Sequence, residues 1–417
     1  MKILVSGAGI AGPGFALAMR HLECEITIVE KAKTHRGTGQ NVDVNGAALT
    51  AAKRMGIFED LKRLHSTEIG SRFVNTDGRP LATFSAEGGR GGPTSEYEIL
   101  RGDFANLLYD RTKDQKGVKY IFGSHVAQIV KNDSESVRAR FNDGREEDFD
   151  LVVAADGRWS QIRKQCFAPE DVKIIDKDMY AAFWTAPLRK SDNKLWNIYV
   201  STGSRTLSIR PDPHGTVRAM VTMMPTSDAV REQCKQASRA GRASQIELIQ
   251  RSHANAGWEA DRLLESIEGS DDFYFQAMQQ IRMPNGWSRE RVICLGDAAF
   301  CPTPLTGMGS SCAVIGAYTL AGELSSLQKG EHPREALQAY EKKLRPFIEG
   351  IQDIPWFVPG IMHPDSALKR WILQRVFVTA GIVTKLVQSI PFIMRLFPDS
   401  EGNNDGFPLP TYPALRD

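Results

Sequence analysis

The chain has 417 residues, of which 41% are hydrophobic and 24% are charged. This composition is typical of globular proteins and excludes the disordered and fibrous classes. The 52 basic and 50 acidic side chains give a net charge of +2. That balance argues against a nucleic-acid partner, because binding nucleic acid usually requires a strong basic excess. At about 100–200 residues per domain, the length predicts two or three domains.

The six cysteines and eight histidines are scattered along the chain. The cysteines are too few and too far apart for a disulfide scaffold, and neither residue type follows the spacing of a metal site. We therefore expect reduced thiols, no metal ion and a cytoplasmic protein. The N-terminal sequence MKILVSG lacks the charged leader and long apolar stretch of a signal peptide, which agrees with this expectation.

The first 30 residues predict a strand, a glycine turn, a helix and a second strand. Apolar strands are expected over residues 2–6 and 25–30, and the sequence GAGIAG at residues 7–12 leads from the first strand into a helix over residues 13–21. A GxGxxG turn in this context, with an acidic residue at the end of the second strand, is typical of a dinucleotide-binding βαβ unit.

The glycines of this turn have separate predicted roles. Gly7 permits the tight turn, Gly9 lets the backbone approach a pyrophosphate, and Gly12 allows the helix to pack closely against the strand. The helix N-terminus attracts an anion through its free N–H groups and its dipole, and Glu30 is expected to accept hydrogen bonds from an adenosine ribose. The contacts predicted at this end of the chain are Gly7, Gly9, Ala11, Gly12, Glu30 and Lys31.

The remaining chain alternates between mixed elements and a run of consecutive strands. The first part contains a predicted hairpin over residues 71–84, a helix over 101–113 and a buried strand over 151–155. Consecutive strands and one helical stretch follow, and then a buried strand leads into a long helix. The ranges predicted for these later elements are 196–200, 206–210, 217–224, 229–256, 292–295 and 310–327.

The most apolar region is residues 371–397. Arg375, Lys385 and Arg395 interrupt it, and Pro391 breaks it. Because a membrane-spanning helix needs about 20 predominantly apolar residues, this pattern argues against a span and predicts an amphipathic helix docked on the protein. A weak contact of this helix with a membrane surface is the alternative.

Three further segments carry candidate cofactor residues. Asp156-Gly157 follows the apolar strand LVVAA, at the carboxyl end where ligands bind to parallel sheets, although the pair could also form an ordinary β-turn. Asp297 precedes a helix, so it could accept a hydrogen bond from a cofactor hydroxyl or act as an N-cap. Arg101 opens a helix, where the dipole does not favour a positive charge, which indicates an outside partner. The segment after Asp297 adds Pro304 and Ser310 as candidates, together with Gly307, Met308 and Gly309, whose backbone N–H groups could face an electron-rich ring.

These segments resemble a known family. DGRWSQIR at residues 156–163 is similar to the DGxxSxxR motif of the p-hydroxybenzoate hydroxylase-like (class A) flavin monooxygenases. GDAA at 296–299 with GMG at 307–309 resembles their GD motif, and EILRGD at 98–103 resembles the segment with their flavin-facing arginine. The sequence also resembles the tetracycline destructases in particular, including their GGQxxD-type loop at residues 36–43, and enzymes that tailor aromatic polyketides.

The resemblance implies an α/β fold with a Rossmann-type FAD-binding domain, an inserted β-sheet substrate domain and a C-terminal helical segment. It implies bound FAD, transient NADPH or NADH, and O2 that forms a flavin hydroperoxide and places one oxygen atom into a bulky aromatic or polyketide-like substrate. An FAD-dependent oxidase or dehydrogenase and a non-catalytic flavoprotein are the alternatives. The domain ranges are 1–171 and 282–345 for FAD, 172–281 for substrate, and 346–417 for the bridging helices.

Candidate residues on the substrate side are less closely defined by the sequence. Gln40 and Asp43 are placed near the flavin by the resemblance. Thr206, Ser208 and Arg210 share one face of a predicted strand, where Arg210 could orient an anionic substrate. The candidates for an apolar pocket wall are Phe183, Trp184, Met220 and Phe357, with Trp356 beside the last of these.

Overall fold

The structure is a computed structural model and describes residues 1–35, 37, 39–86, 97–328, 330–389 and 406–415. Positions 36 and 38 of the GGQxxD-type loop and residues 390–397 of the apolar C-terminal region lie outside this set. The strands are β1 Lys2–Ser6, β2 Glu25–Glu30, β3 Asn41–Asp43, β4 Gly70–Val74, β5 Pro80–Ser85, β6 Glu98–Leu100, β7 Val118–Phe122, β8 Val126–Asn132, β9 Val137–Phe141, β10 Glu146–Phe149, β11 Leu151–Ala154, β12 Lys173–Pro187, β13 Trp196–Ser201, β14 Arg205–Pro211, β15 Thr216–Met223, β16 Tyr274–Arg282, β17 Ser288–Arg289 and β18 Val292–Cys294.

Helices alternate with these strands in both halves of the chain. They are α1 Ala11–Ala18, α2 Ala47–Arg54, α3 Phe58–Arg63, α4 Arg101–Thr112, α5 Gln161–Cys166, α6 Asp228–Ala240, α7 Arg242–His253, α8 Ala260–Ser266, α9 Asp297–Phe300, α10 Gly309–Leu324, α11 Arg334–Gln352, α12 Val358–Ile361 and α13 Ala367–Ser389. The mixed α/β fold expected from the sequence is confirmed.

The first sheet has six strands in the order β17-β18-β11-β1-β2-β7. β1 lies between β11 and β2 and pairs in parallel with both. β11 is buried along its whole length, as the uninterrupted apolar run LVVA predicts for a parallel strand covered on both faces. The carboxyl ends of β1, β2, β11 and β18 therefore meet at one edge of this sheet.

The second sheet has seven strands in the order β16-β12-β15-β14-β13-β4-β5. The hairpin of β4 and β5 is present as predicted, but it extends this second sheet through parallel pairing of β4 with β13. The sequence prediction placed residues 70–85 in the first domain, so the observed strand pairing differs from the predicted domain range. The predicted range for the first domain followed chain order, whereas the pairing joins segments more than 100 residues apart.

Helices α6, α7 and α8 cover one face of the second sheet, and buried residues such as Trp184, Leu207 and Val221 form the core between them. The sequence predicts one helical stretch over residues 229–256, whereas the structure has two helices that meet at Gly241. Gly241 has φ of +96° and serves as the C-cap of α6 and the N-cap of α7, a backbone conformation that glycine adopts at little cost.

Helix α13 packs on the outer strand β5 of the second sheet. Phe377 stacks on Phe73 with ring centroids 4.0 Å apart, and a Cβ built on Gly381 would lie 3.1 Å from the Cβ of Ala82. Among the described residues, no helix has both the length and the apolar character needed to cross a bilayer. The C-terminal part of the chain thus includes the docked helix that its sequence predicts.

His253 provides a test of how the second domain is stabilised. The side chain is fully buried, its Nε2 is 3.3 Å from the backbone oxygen of Thr222, and burial lowers its pKa to about 4. Because an unfolded histidine has a pKa of about 6.5, the unfolded state takes up a proton first as the pH falls. The contribution of His253 to the free energy of unfolding is therefore complete above about pH 6.5 and is lost as the pH falls toward 4.

We expect the free energy of unfolding to fall by about 2 kcal/mol between pH 7.5 and pH 5 through His253 alone. Denaturant unfolding of the wild type and of His253→Gln at both pH values measures this difference. The variant should be less stable at pH 7.5 and should lose about 2 kcal/mol less than the wild type on acidification. Equal losses in the two proteins would show that His253 does not titrate in this way.

Candidate functional site

The glycine turn after β1 is built against the neighbouring strand. Gly7 has φ of +112°, and a Cβ on it would lie 2.3 Å from the backbone oxygen of Ala155. A Cβ on Gly12 would lie 2.1 Å from the backbone oxygen of Gly7. A Cβ on Gly9, by contrast, meets no described atom within 4 Å. The turn therefore needs glycine at positions 7 and 12 to fold, whereas Gly9 borders open space at the start of α1.

Glu30 ends β2 directly beside this turn. Its Oε2 accepts a hydrogen bond from the backbone N–H of Ala8 at 3.0 Å, and its Oε1 accepts one from Ala32 at 2.9 Å. These bonds fix the carboxylate at the carboxyl edge of the sheet, where each oxygen keeps acceptor capacity. This position agrees with the predicted role as a ribose acceptor. Lys31, the next residue, is exposed.

The loop after β11 carries Asp156 and Gly157. Asp156 Oδ2 accepts the backbone N–H of Gln161 at 2.9 Å, whereas Oδ1 is buried with no hydrogen-bond partner among the described residues. Burial raises the pKa of Asp156. Because a buried polar atom without a partner is costly, an unsatisfied oxygen beside the Gly7 turn indicates a ligand group that donates a hydrogen bond there.

Arg163 connects this loop to the next motif. The buried guanidinium donates to the backbone oxygen of Ala298 at 2.7 Å and to that of Arg158 at 2.6 Å. Ser160 caps α5 by accepting the backbone N–H of Arg163 at 3.0 Å. The serine and arginine of this motif therefore hold the loop of Asp156 against the start of α9.

Asp297 begins α9 at the point where the N-terminal and late motifs meet. A Cβ on Gly296 would lie 3.1 Å from the Cβ of Ala11, so the start of α1 and this turn are in contact. The Asp297 side chain is exposed, yet protein surrounds it closely enough to raise its pKa, an effect that the positive charges of Arg101 and Arg158 partly offset. Exposure within a protein-lined environment is typical of the wall of a deep cleft.

In the loop between α9 and α10, some of the backbone N–H groups expected to face the flavin donate hydrogen bonds within the loop itself. The backbone N–H of Gly307 donates to the oxygen of Pro304 at 3.0 Å, and that of Met308 donates to Thr306 Oγ1 at 3.2 Å. The donors available to a ring edge are therefore those of the first turn of α10, which begins at Gly309 and Ser310. This is a difference from the sequence prediction, because a short 3₁₀ turn at Pro304–Thr306 was not expected.

The strand β3 brings two more predicted residues to this loop. A Cβ on Gly307 would lie 3.4 Å from Asp43 Oδ2, and Ser311 Oγ donates to the backbone oxygen of Asp43 at 3.0 Å. The backbone N–H of Arg101 donates to the oxygen of Gln40 at 2.9 Å, and the buried Gln40 Nε2 has no partner among the described residues. Arg101 itself is exposed and acts electrostatically on Asp297.

One aromatic pair of the second sheet faces this cleft. Tyr274 stacks on Phe183 with centroids 4.8 Å apart, stays 37% exposed, and has its pKa raised by the surrounding protein while the charge of Arg101 opposes that rise. Met220 and Leu305 pack against the cluster that contains Phe183. The flavin-side loop with Leu305 therefore lies against this face of the sheet.

The sequence predicts Trp184 as a pocket residue, but the structure places it elsewhere. It is fully buried on the opposite face of β12, where its Nε1 donates to Ser266 Oγ at 2.9 Å. Successive strand residues point to opposite faces, so Phe183 and Trp184 cannot line the same cavity. Phe357 is half exposed beside Trp356, and with 88% of its surface exposed Trp356 does not close the cavity.

The sequence predicts Arg210 as a residue that orients the substrate, but the structure places it in a cluster of ion pairs. Its guanidinium donates to Glu68 at 2.9 and 3.0 Å and contacts Glu98. It also lies over the Trp196 ring, 4.3 Å from the centroid. Two buried carboxylates satisfy this cation, so it has no positive charge to offer an anionic substrate. The sequence has no signal for this cluster, because Glu68, Glu98 and Arg210 come from three distant segments.

The described residues fit a flavin dinucleotide. Open space at Gly9, the carboxylate of Glu30, the unsatisfied Asp156 Oδ1 and the cleft carboxylate of Asp297 lie along one edge of the first sheet. That set offers anion-binding backbone to a pyrophosphate and acceptors to ribose and ribityl hydroxyls. A Rossmann-type sheet with this site defines a dinucleotide-binding protein.

Comparison with known proteins identifies the cofactor and the class of enzyme. The family described as FAD binding domain matches residues 1–354. The flavin-dependent monooxygenase eupH of Phoma sp is 34% identical over 88% of this chain and 88% of that protein. The FAD-dependent monooxygenase asL6 of Sarocladium schorii is 32% identical over 100% of this chain and 99% of that protein. The structure of tetracycline destructase Tet(55) has a TM-score of 0.75 at 26% identity, with 99% of this chain and 98% of that chain covered.

The chain belongs to the FAD binding domain family and is a flavin-dependent monooxygenase. Its bound cofactor is FAD, as the resemblance implies. The relatives match along nearly the whole chain, so the N-terminal turn, the late motifs and the inserted sheet all belong to one enzyme.

Asp297→Ala is expected to weaken FAD binding by about 10- to 100-fold, because a hydrogen bond to a charged acceptor contributes about 1.5–3 kcal/mol. Titration of apoprotein with FAD, followed by the quenching of flavin fluorescence, measures the dissociation constant. Asp353→Ala is the matched control, since Asp353 follows the last residue of α11 and should leave the constant unchanged. An unchanged dissociation constant in Asp297→Ala would show that this carboxylate does not contribute to FAD binding.

Proposed function

We propose that the chain is an NAD(P)H-driven monooxygenase that inserts one oxygen atom from O2 into a bulky aromatic or polyketide-like substrate. The observation that supports this substrate class is the aromatic wall of Tyr274 and Phe183, which faces the same cleft as Asp297 and Arg101. Planar rings stack favourably on aromatic side chains. A relative of similar fold is named for its action on tetracycline, which belongs to this class.

The wall is suited to a planar substrate because its two rings are nearly parallel, with an interplanar angle of 16°. Phe183 is buried behind Tyr274, so Tyr274 is the ring whose surface a substrate would contact. Met220 and Leu305 extend the apolar surface beside Phe183. We therefore propose Tyr274 as a substrate contact together with Phe183 and Met220, and we retain Phe357 as a candidate at the outer side.

FAD, when bound, supplies the redox chemistry that activates O2. The residues of the chain hold and orient the reactants. Glu30, Asp156 and Asp297 accept hydrogen bonds from the cofactor, and Gln40 can donate its amide N–H to it. The apolar wall excludes water from the reacting ring, which prevents loss of the activated oxygen. The positive charge of Arg101 at the cleft favours an electron-rich, partly anionic substrate.

The reductant is proposed to bind transiently, because the sequence has a single GxGxxG turn and FAD occupies it. The three domain ranges and the bridging role of residues 346–417 remain part of the proposal, with β4 and β5 transferred to the substrate domain. The cytoplasmic location also remains part of the proposal, because the six cysteines are too few and too scattered for a disulfide scaffold.

Stopped-flow reduction of the bound flavin tests the proposal. NADPH or NADH should bleach the flavin absorbance of the holoenzyme, and a productive substrate should accelerate the bleaching. The probes are tetracycline and a set of polyketide phenols, each compared with buffer alone. No reduction by either nucleotide under any of these conditions would contradict the NAD(P)H-driven reaction and would favour a non-catalytic flavoprotein.

A further inference from the structure

The outward face of helix α13 carries a row of large apolar side chains, with Arg375 and Thr379 exposed among them. Large side chains that are about half exposed or more occur along this helix at spacings of three, four and seven residues, which places them on one side. They are Leu368, Trp371, Ile372, Val376, Ile382 and Val383. From Leu368 to Val383 this apolar face is about 22 Å long at 1.5 Å per residue.

This face is not the one by which α13 docks on the protein. The docked side carries Arg370, whose guanidinium donates to the Tyr199 hydroxyl at 3.3 Å, together with Phe377 and the buried Gly381. Arg370, Phe377 and Gly381 follow each other at spacings of seven and four residues, on the side opposite Ile372. The helix is therefore apolar on two faces, and docking on β5 accounts for only one of them.

Basic residues predominate on this helix. Residues 367–389 contain Lys369, Arg370, Arg375 and Lys385 and no acidic residue. Lys369 is exposed next to the apolar face, where it pairs at 2.7 Å with Asp365 just before the helix, and Arg375 lies within the face, 5.3 Å from the centroid of the Trp371 ring. An exposed apolar face with basic residues and a tryptophan is the pattern of a helix that lies in the interface of an anionic membrane.

Self-association is the main alternative for an exposed apolar face. A symmetric contact between two copies of α13 would bring Arg375 of one copy close to that of the other, and within residues 365–389 the sequence offers one acidic residue, Asp365, which already pairs with Lys369. Anionic phospholipid headgroups supply negative charge to Arg375. The basic side chains could also extend their charged ends to the headgroups while their methylene groups stay in apolar surroundings.

We propose that the exposed face of α13 docks this enzyme reversibly on the surface of an anionic phospholipid membrane. Trp371, Ile372 and Val376 enter the headgroup–acyl boundary, and Lys369 and Arg375 contact the headgroups. The contact is peripheral, and it does not depend on the oxygenation reaction proposed above.

Co-sedimentation of the holoenzyme with vesicles tests this inference. Wild-type protein should bind vesicles of phosphatidylcholine with phosphatidylserine and should bind pure phosphatidylcholine vesicles much more weakly. The double variant Ile372→Glu/Val376→Glu should lose this binding and keep its FAD. Ile174→Glu is the matched control, because Ile174 lies on β12 and is exposed to a similar extent, 51% against 49% for Ile372; it should bind as the wild type does.

A second variant separates the charges from the apolar face. Lys369→Gln/Arg375→Gln should weaken binding to phosphatidylserine vesicles by about 10- to 30-fold, given the contribution of each basic residue near such a surface. The inference is overturned if the wild type does not sediment with vesicles, or if it binds neutral and anionic vesicles equally. It is also overturned if light scattering shows a dimer that Ile372→Glu/Val376→Glu converts to a monomer while vesicles bind neither protein.

Discussion

Replacement of Gly9 by tryptophan is expected to give a folded protein that does not bind FAD. The expectation rests on the space at this position, where a Cβ meets no described atom within 4 Å. An indole there would fill the region that the pyrophosphate approaches at the start of α1. We expect the dissociation constant for FAD to rise by at least about 100-fold, which corresponds to about 3 kcal/mol. The absorption spectrum of the purified protein and a titration with FAD measure the effect.

Gly269→Trp is the control for the added side chain. A Cβ on Gly269, like one on Gly9, meets no described atom within 4 Å, but Gly269 is exposed and lies after α8 in the other domain. This variant should keep its FAD. The unfolding transition of apo Gly9→Trp should match that of the wild-type apoprotein, which would show that the fold is intact. A yellow, fully loaded Gly9→Trp protein would contradict the position assigned to the pyrophosphate.

Arg210→Met is expected to lower the free energy of unfolding by about 3–5 kcal/mol at neutral pH, because removing one partner from a buried ion cluster leaves buried charge uncompensated. The guanidinium is in contact with Glu68 and Glu98, and both carboxylates are almost completely buried. Denaturant unfolding of the wild type and of Arg210→Met at neutral pH measures this loss.

Arg138→Met is the matched control for Arg210→Met. Arg138 pairs with Asp148 at 2.8 Å, but both side chains are nearly half exposed, so its loss should lower the free energy of unfolding much less than the loss of Arg210 does. Similar losses for the two variants would show that the Arg210 cluster contributes no more than a surface pair. The comparison therefore tests the structural role that replaces the substrate role predicted for Arg210.

The FAD site could be predicted from the sequence because its motifs are short and local. The spacing of Gly7, Gly9 and Gly12 describes one turn between one strand and one helix, and the structure shows that a Cβ at either outer position would clash. The contact between the start of α1 and Gly296 is long-range, but each motif could be recognised separately. The sheet edge then brings the motifs together.

The substrate face was harder to predict because it depends on which side of a strand faces the cleft. Phe183 and Trp184 are adjacent aromatic residues, and nothing in the local sequence indicates which of them points toward the flavin side; a shift of one residue exchanges the two faces. Tyr274 raises the same question within Phe273-Tyr274-Phe275. Its neighbours Phe273 and Phe275 pack in the core of the helical face, and Tyr274 faces the cleft.

The role of Arg210 shows a second limit of prediction from sequence. Thr206, Ser208 and Arg210 alternate along β14, so they share one face of the sheet, and Thr206 contacts Thr222 of the neighbouring strand β15. The partners of Arg210 are carboxylates from other segments, and Glu68 is 142 residues away in the chain. Pairing over such a distance depends on how the chain brings these separate segments together, which the local sequence pattern does not encode.

Incorporation of oxygen from O2 into the product distinguishes a monooxygenase from an oxidase or a dehydrogenase. The holoenzyme should be incubated with NADPH, ¹⁸O₂ and a substrate that accelerates flavin reduction, and the product should be analysed by mass spectrometry. We expect a product that carries one labelled oxygen atom in a reaction that requires FAD. A product that has lost two hydrogen atoms and carries no label would contradict it and would identify the enzyme as an oxidase or dehydrogenase.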